Sequence, residues 1–112
     1  MKWWKVLTQS QLQELYELKE NKFLRPYAKL IILLYKYEYE YHYTNAKKEL
    51  SIAGILREVL GGNYMALVKE GVLDGLIRYA RGEPPRLTQK GVEVAKKLLQ
   101  CWKILREKER ET

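Results

Sequence analysis

Few residues of the kinds that make and break bonds are present, and none stands in suitable company. The chain holds one His (His42), one Cys (Cys101) and one Asp (Asp74). A zinc site draws several ligands from Cys, His and carboxylates, so a lone His between tyrosines and one distant Cys give no metal site. There is no paired Asp, no nucleophile with a base, and no glycine-rich phosphate loop; the Gly61-Gly62 pair is not one. No catalytic residue, metal or cofactor is therefore expected. What the chain has in quantity is positive charge: 21 Lys and Arg against 14 acids, a net +7. On a small chain that attracts polyanions, either nucleic acid or an acidic membrane surface. The excess concentrates late, where Arg78, Arg81, Arg86, Lys90, Lys96 and Lys97 face only Glu83 and Glu93. Such a stretch suits phosphate contacts. Earlier, Lys47, Lys48, Arg57 and Asn63 are further candidates for polyanion contacts, weakened by Glu49 and Glu58 beside them.

Positioning these residues calls for a fold, and the composition supports one. With 112 residues and 46% apolar content, a single domain over residues 1–112 can bury a core. The longest apolar run, Leu30 to Tyr35, is closed by Lys29 and Lys36, far short of the roughly 20 residues that cross a bilayer. One Cys forms no internal disulfide, and Met1 to Lys5 lacks the apolar centre of a secretion signal. A cytoplasmic location without membrane attachment follows as an expectation.

Thr8 is placed to cap a helix carrying Leu12, Leu15, Tyr16 and Leu18 and ending near Asn21. Trp3 and Trp4 read as a segment packed on the body. Pro26 suits the first turn of a second, buried helix bearing Leu30, Ile31, Leu34, Tyr37 and Tyr41. Tyr35, Tyr37, Tyr39, Tyr41 and Tyr43 also alternate with polar residues as a strand would, so the helix is expected to end near Glu40 with a short strand at Tyr41 to Tyr43. These tyrosines read as packing residues in preference to base-stacking platforms. A further helical pattern runs from Thr44 to Leu67, interrupted at Gly54 and at Gly61-Gly62. Gly71 then looks like a helix stop. Leu76 to Ala80 and Pro85 to Leu87 flank the turn cluster Arg81-Gly82-Glu83-Pro84 as a two-stranded hairpin, and Thr88 caps a long last helix. Cys101, within that helix, reads as a small core residue.

The run Tyr64-Met65-Ala66-Leu67-Val68-Lys69-Glu70-Gly71-Val72-Leu73, followed after the basic hairpin by Leu87-Thr88-Gln89-Lys90-Gly91-Val92 and onward to Leu98, resembles the recognition helix, wing and exit helix of winged helix-turn-helix DNA-binding proteins. Regulators of archaea and archaeal viruses similar to the MarR and PadR families are nearest in style. The resemblance covers about residues 27 to 98. It implies a mainly α fold with a small β-hairpin: an N-terminal helical extension over 1–25, a helix-turn-helix and wing over 26–87, and a C-terminal helix over 88–112. It further implies double-stranded DNA as partner, a role in transcription regulation, and a homodimer. Leu60, Tyr64 and Leu67 would face the core and leave the opposite side of the recognition helix for a major groove.

Two placements of the turn compete. Setting it at Gly54-Ile55 makes Arg57 to Lys69 the recognition helix and keeps the helix lengths usual in the family, and it is preferred. Setting it at Gly61-Gly62 leaves a short recognition helix from Asn63 to Glu70. The exit helix carries Val92, Ala95, Leu98, Leu99, Trp102 and Leu105 as one apolar stripe, read as a dimer interface with intramolecular packing against Trp3, Trp4 and Leu12 as the competitor. A protein-binding winged-helix module without a DNA role is the alternative function.

Overall fold

A computed structural model describes residues 7–41 and 52–111, with side chains as far as Lys108, and is mainly helical with one two-stranded antiparallel hairpin. Thr8 starts helix α1 (Gln9–Glu20): its hydroxyl accepts from the Gln11 N–H at 3.1 Å while the Gln11 side chain accepts from the Thr8 N–H at 3.0 Å. Two donors left open at the helix start are thus satisfied reciprocally. Leu15 and Leu18 turn inward, and the helix stops at Asn21 as its spacing predicts.

Helix α2 (Pro26–Lys36) opens on its proline, which has no N–H to leave unpaired. Leu30, Ile31, Ile32, Leu33 and Leu34 are each at most 2% exposed. A helix buried all round is the centre of a fold, and helices on three sides plus one hairpin strand pack on this one. Its next residues, Tyr37–Tyr41, wind on as a wider π-helical turn. Tyr35, Tyr37, Tyr39 and Tyr41 therefore do not form a strand. Tyr35 and Tyr39 stack with ring centres 4.8 Å apart, a contact between positions i and i+4 that a helix makes. Tyr41, expected to open a strand, closes the turn fully buried; Tyr43 lies outside the described residues, as do Trp3, Trp4 and His42.

Helix α3 (Ile52–Leu60) contains Gly54, and α4 (Tyr64–Leu73) contains Gly71, so neither glycine breaks a helix. The break falls at Gly61–Asn63, where Gly61 takes φ +87°, a backbone region closed to most side chains. The preferred placement of the turn at Gly54-Ile55 is thereby corrected to Gly61-Gly62. The helix expected from Arg57 to Lys69 is really the end of α3 and the start of α4. Gly71 is a glycine for another reason: Ile77 packs where its Cβ would stand. α4 stops two residues later, and Gly75 at φ +76° turns the chain.

Strands β1 (Ile77–Arg78) and β2 (Arg86–Leu87) pair with Ile77 opposite Leu87 and Arg78 opposite Arg86. The first pair faces the core and the second faces solvent. Thr88 fastens the hairpin to the last helix: its N–H donates to the Leu76 carbonyl at 2.9 Å, its hydroxyl donates to the Gly75 carbonyl at 2.6 Å and accepts from the Gly91 N–H at 3.1 Å. Gly91 lies so close to the Leu76 carbonyl oxygen that a Cβ would collide with it.

Helix α5 (Gln89–Glu111) is 23 residues long, about 34 Å at 1.5 Å per residue. Its stripe faces the chain's own core. Ala95 is fully buried and Trp102 is 2% exposed, while Val92, Leu98 and Leu99 pack half-buried against the same core and Leu105 is half-buried. Trp102 is flanked by two cations, Lys36 Nζ 5.3 Å and Arg106 Cζ 5.1 Å from its ring centre. Each cation is in turn paired: Lys36 with Glu14 at 2.9 Å and Glu40 at 2.8 Å, and Arg106 with Glu17 at 2.6 Å. This ladder of charge around one indole ties α1, α2 and α5 together. Trp102, expected as the anchor of a second copy, has its ring enclosed within its own chain. Cys101, read as a core residue, is exposed one position away.

Candidate nucleic-acid interface

The hairpin presents its arginines by simple alternation. With Ile77 and Leu87 inward, Arg78 and Arg86 emerge side by side on the outer face, where directly opposed residues of an antiparallel pair stand about 5 Å apart. Like charges so placed repel each other. Arg81 is exposed at the tip, beside Gly82 with φ +85°. Glu83 is exposed in the same turn and is the acid of the loop. One compensation exists: Arg86 Nη2 lies 2.9 Å from Glu38 Oε1, joining β2 to the π-helical turn. Tyr37, next to Glu38, has its phenol pKa raised by burial, a rise that the positive charge of Arg86 opposes.

The helical candidates are less concentrated. Arg57 is exposed on α3, and Asn63 is exposed immediately before α4. Lys90 sits in the first turn of α5, its ammonium 3.5 Å from the Asp74 carbonyl oxygen. That carbonyl belongs to the residue whose carboxylate accepts from the Tyr27 hydroxyl at 2.8 Å. Burial and then this bond push the Tyr27 phenol well above its ordinary pKa. Lys47 and Lys48 lie outside the described residues. The hairpin thus brings together Arg78, Arg81 and Arg86, and the junction of α3 and α4 brings Asn63 near the end of the helix that carries Arg57.

Two residues not singled out by sequence bear on the candidate interface. Lys69 is exposed on α4; its position six residues after Asn63 becomes meaningful once the helix is known to begin at Tyr64. Glu38 restrains Arg86 across 48 residues of sequence, and no local pattern could have paired them. The outer surface of α4 is otherwise mixed: Ala66, Glu70, Val72 and Leu73 are exposed, Leu73 by 87%. Among the described residues no helix is long and apolar enough to cross a membrane. Comparison with family models, with curated proteins and with solved structures finds no match to this chain.

Proposed function

We propose that the chain is a winged-helix protein that binds double-stranded DNA, with the hairpin as wing, α4 as the helix offered to the groove, and transcription regulation as its role. The observation that carries the reading is the opposed pair Arg78 and Arg86 on the outer face of the hairpin, with Arg81 at its tip. With Arg86 already paired to Glu38, the two arginines and Arg81 keep a net positive charge that a further anion would offset, and a phosphate backbone supplies anions at regular intervals. Arg57, Asn63, Lys69 and Lys90 would add contacts from the helices. The helical order, the antiparallel hairpin and the Thr88 start of the last helix agree with the resemblance in the sequence.

The test is a titration of random duplex at about 50 and 200 mM salt. Some four phosphate contacts predict a slope near −3.6 on logarithmic axes and so a loss of roughly a hundredfold over that range. Absence of duplex binding at the lower salt would refute the reading. A protein-binding module is the second reading, favoured by Leu73, 87% exposed on the face of α4 that DNA would occupy.

A further inference from the structure

Away from the hairpin arginines lies a groove of about 380 Å³, lined by Phe23, Tyr27, Ala28, Ile31, Val94 and Leu98, with Arg25 the charged residue of the lining. Its walls are the loop after α1, the first turns of α2 and one side of α5. The loop is held in place. Asn21 is 9% exposed, and its side-chain oxygen accepts from the N–H groups of Phe23 at 2.8 Å and Leu24 at 2.9 Å, the short-range turn that Asn favours. This turn leaves Phe23 70% exposed at the edge of the groove. A large aromatic ring fixed outward beside an apolar trough is a common anchor arrangement for a partner.

The charge around the trough, where the exposed cations outnumber the Asp74 carboxylate bonded to the Tyr27 hydroxyl at 2.8 Å, states what that partner is. Lys22 precedes Phe23, Arg25 follows it by two residues, and Lys97 stands one helical turn beyond Val94; all three are exposed. Among the described residues neither Arg25 nor Lys97 is in an ion pair. A second copy fits less well than an acidic partner, because two chains of net charge +7 repel each other. We infer that the groove docks an acidic amphipathic helix of another protein, its apolar stripe seated on Val94, Leu98 and Ile31 beside Phe23, its carboxylates meeting Arg25 and Lys97. A groove between a loop and two helices takes such a stripe as positions i, i+3 or i+4, and i+7.

The inference stands independently of the DNA reading and is tested apart from it. The probe is a labelled synthetic 18-residue helix with Leu at those positions and Glu flanking them, set beside versions carrying Gln or Lys in place of Glu. Anisotropy should give binding of the Glu peptide that weakens at least fivefold with Gln and is lost with Lys. Amide shifts should map to Ala28, Val94 and Leu98. Phe23→Ser should lower affinity about tenfold; at 70% exposure this change leaves the fold intact, checked by circular dichroism, and duplex binding should be unchanged. Arg25→Glu with Lys97→Glu should reverse the preference towards the Lys peptide, which a merely sticky patch would not do. Equal binding of the three peptides overturns the inference. So does a concentration-dependent dimer abolished by Phe23→Ser, which would assign the groove to a second copy. Binding of anionic phosphatidylglycerol vesicles without binding of the Glu peptide would assign it to a lipid surface. Peptide binding seen only after removal of residues 1–6 would assign it to the chain's own N-terminal segment.

Discussion

Replacing Trp102 by Ala decides whether the stripe of α5 serves the chain itself or a second copy. The ring is 2% exposed and lies between Lys36 and Arg106 at 5.3 and 5.1 Å. Truncating a buried Trp costs about 3–5 kcal/mol in lost transfer energy and residual cavity. Each cation–π contact adds about 0.5–2 kcal/mol, the upper part applying to Lys36, which is only 4% exposed. Against this runs the indole N–H, buried with no hydrogen-bond partner, a group whose desolvation costs about 1–3 kcal/mol and whose removal is a gain. The net loss is about 3–5 kcal/mol, a large share of the 5–15 kcal/mol typical of a domain. At about 4–8 °C per kcal/mol for a small domain, the midpoint should fall by at least about 12 °C. Trp102→Phe, which keeps a ring and removes the orphan N–H, should fall much less. Thermal melts followed by circular dichroism give the midpoints and sedimentation gives the mass. A variant that melts with the parent but sediments at half its mass would show the ring to be a dimer anchor, and the enclosed packing of Trp102 would be refuted.

The hairpin arginines act as phosphate contacts if Arg81→Ala with Arg86→Ala weakens duplex binding about tenfold at 200 mM salt and lowers the salt slope by about two; an unaltered slope excludes them. Glu38→Gln frees Arg86 from its ion pair and should raise duplex affinity about 1.4- to 5-fold, the range set by an exposed pair of 0.2–1 kcal/mol; lowered affinity would contradict the restraint. Gly91→Ala should cost about 1–3 kcal/mol because its Cβ meets the Leu76 carbonyl, part of the backbone. Gly71→Ala, which meets only the Ile77 side chain, should cost less, and denaturant melts of the two variants rank them. Tyr27, Tyr37 and Tyr41 all have raised phenol pKa values, burial being the largest cause in each. The unfolded chain therefore releases their protons first, and stability held below pH 10 should decline as pH rises above it. Tyr41→Phe should flatten that decline, and a pH series of urea midpoints measures it.

Elements whose signals are local were legible in the sequence, and those set by competition between distant groups were not. Thr8, Asn21 and Thr88 each mark a helix boundary through bonds made within three residues, Pro26 marks one by having no N–H to leave unpaired, and each boundary stands where the spacing put it. The hairpin was equally local, since Arg81-Gly82-Glu83-Pro84 admits little but a turn. The tyrosine alternation misled because period two in sequence says nothing of backbone when residues on both sides of a helix are aromatic; Leu30 to Leu34 buried in succession shows that this helix has no polar face to mark its phase. The glycines misled for a related reason. Gly54, Gly61 and Gly71 carry the same letter, yet only Gly61 needs positive φ, while Gly71 is small to admit Ile77. Sequence cannot separate a glycine chosen for its backbone from one chosen for the space beside it, because the neighbour that fills the space lies elsewhere in the chain. The same limit governs the candidate interface. Arg78, Arg81 and Arg86 were visible as a basic run, but their meaning lies in the register that sets Arg78 opposite Arg86 and in the Glu38 that holds one of them. A shift of one residue in that pairing would turn Ile77 and Leu87 to solvent. Core burial therefore fixes the arginine pair, and the electrostatic feature offered to an anion is a consequence of two apolar residues needing to face inward.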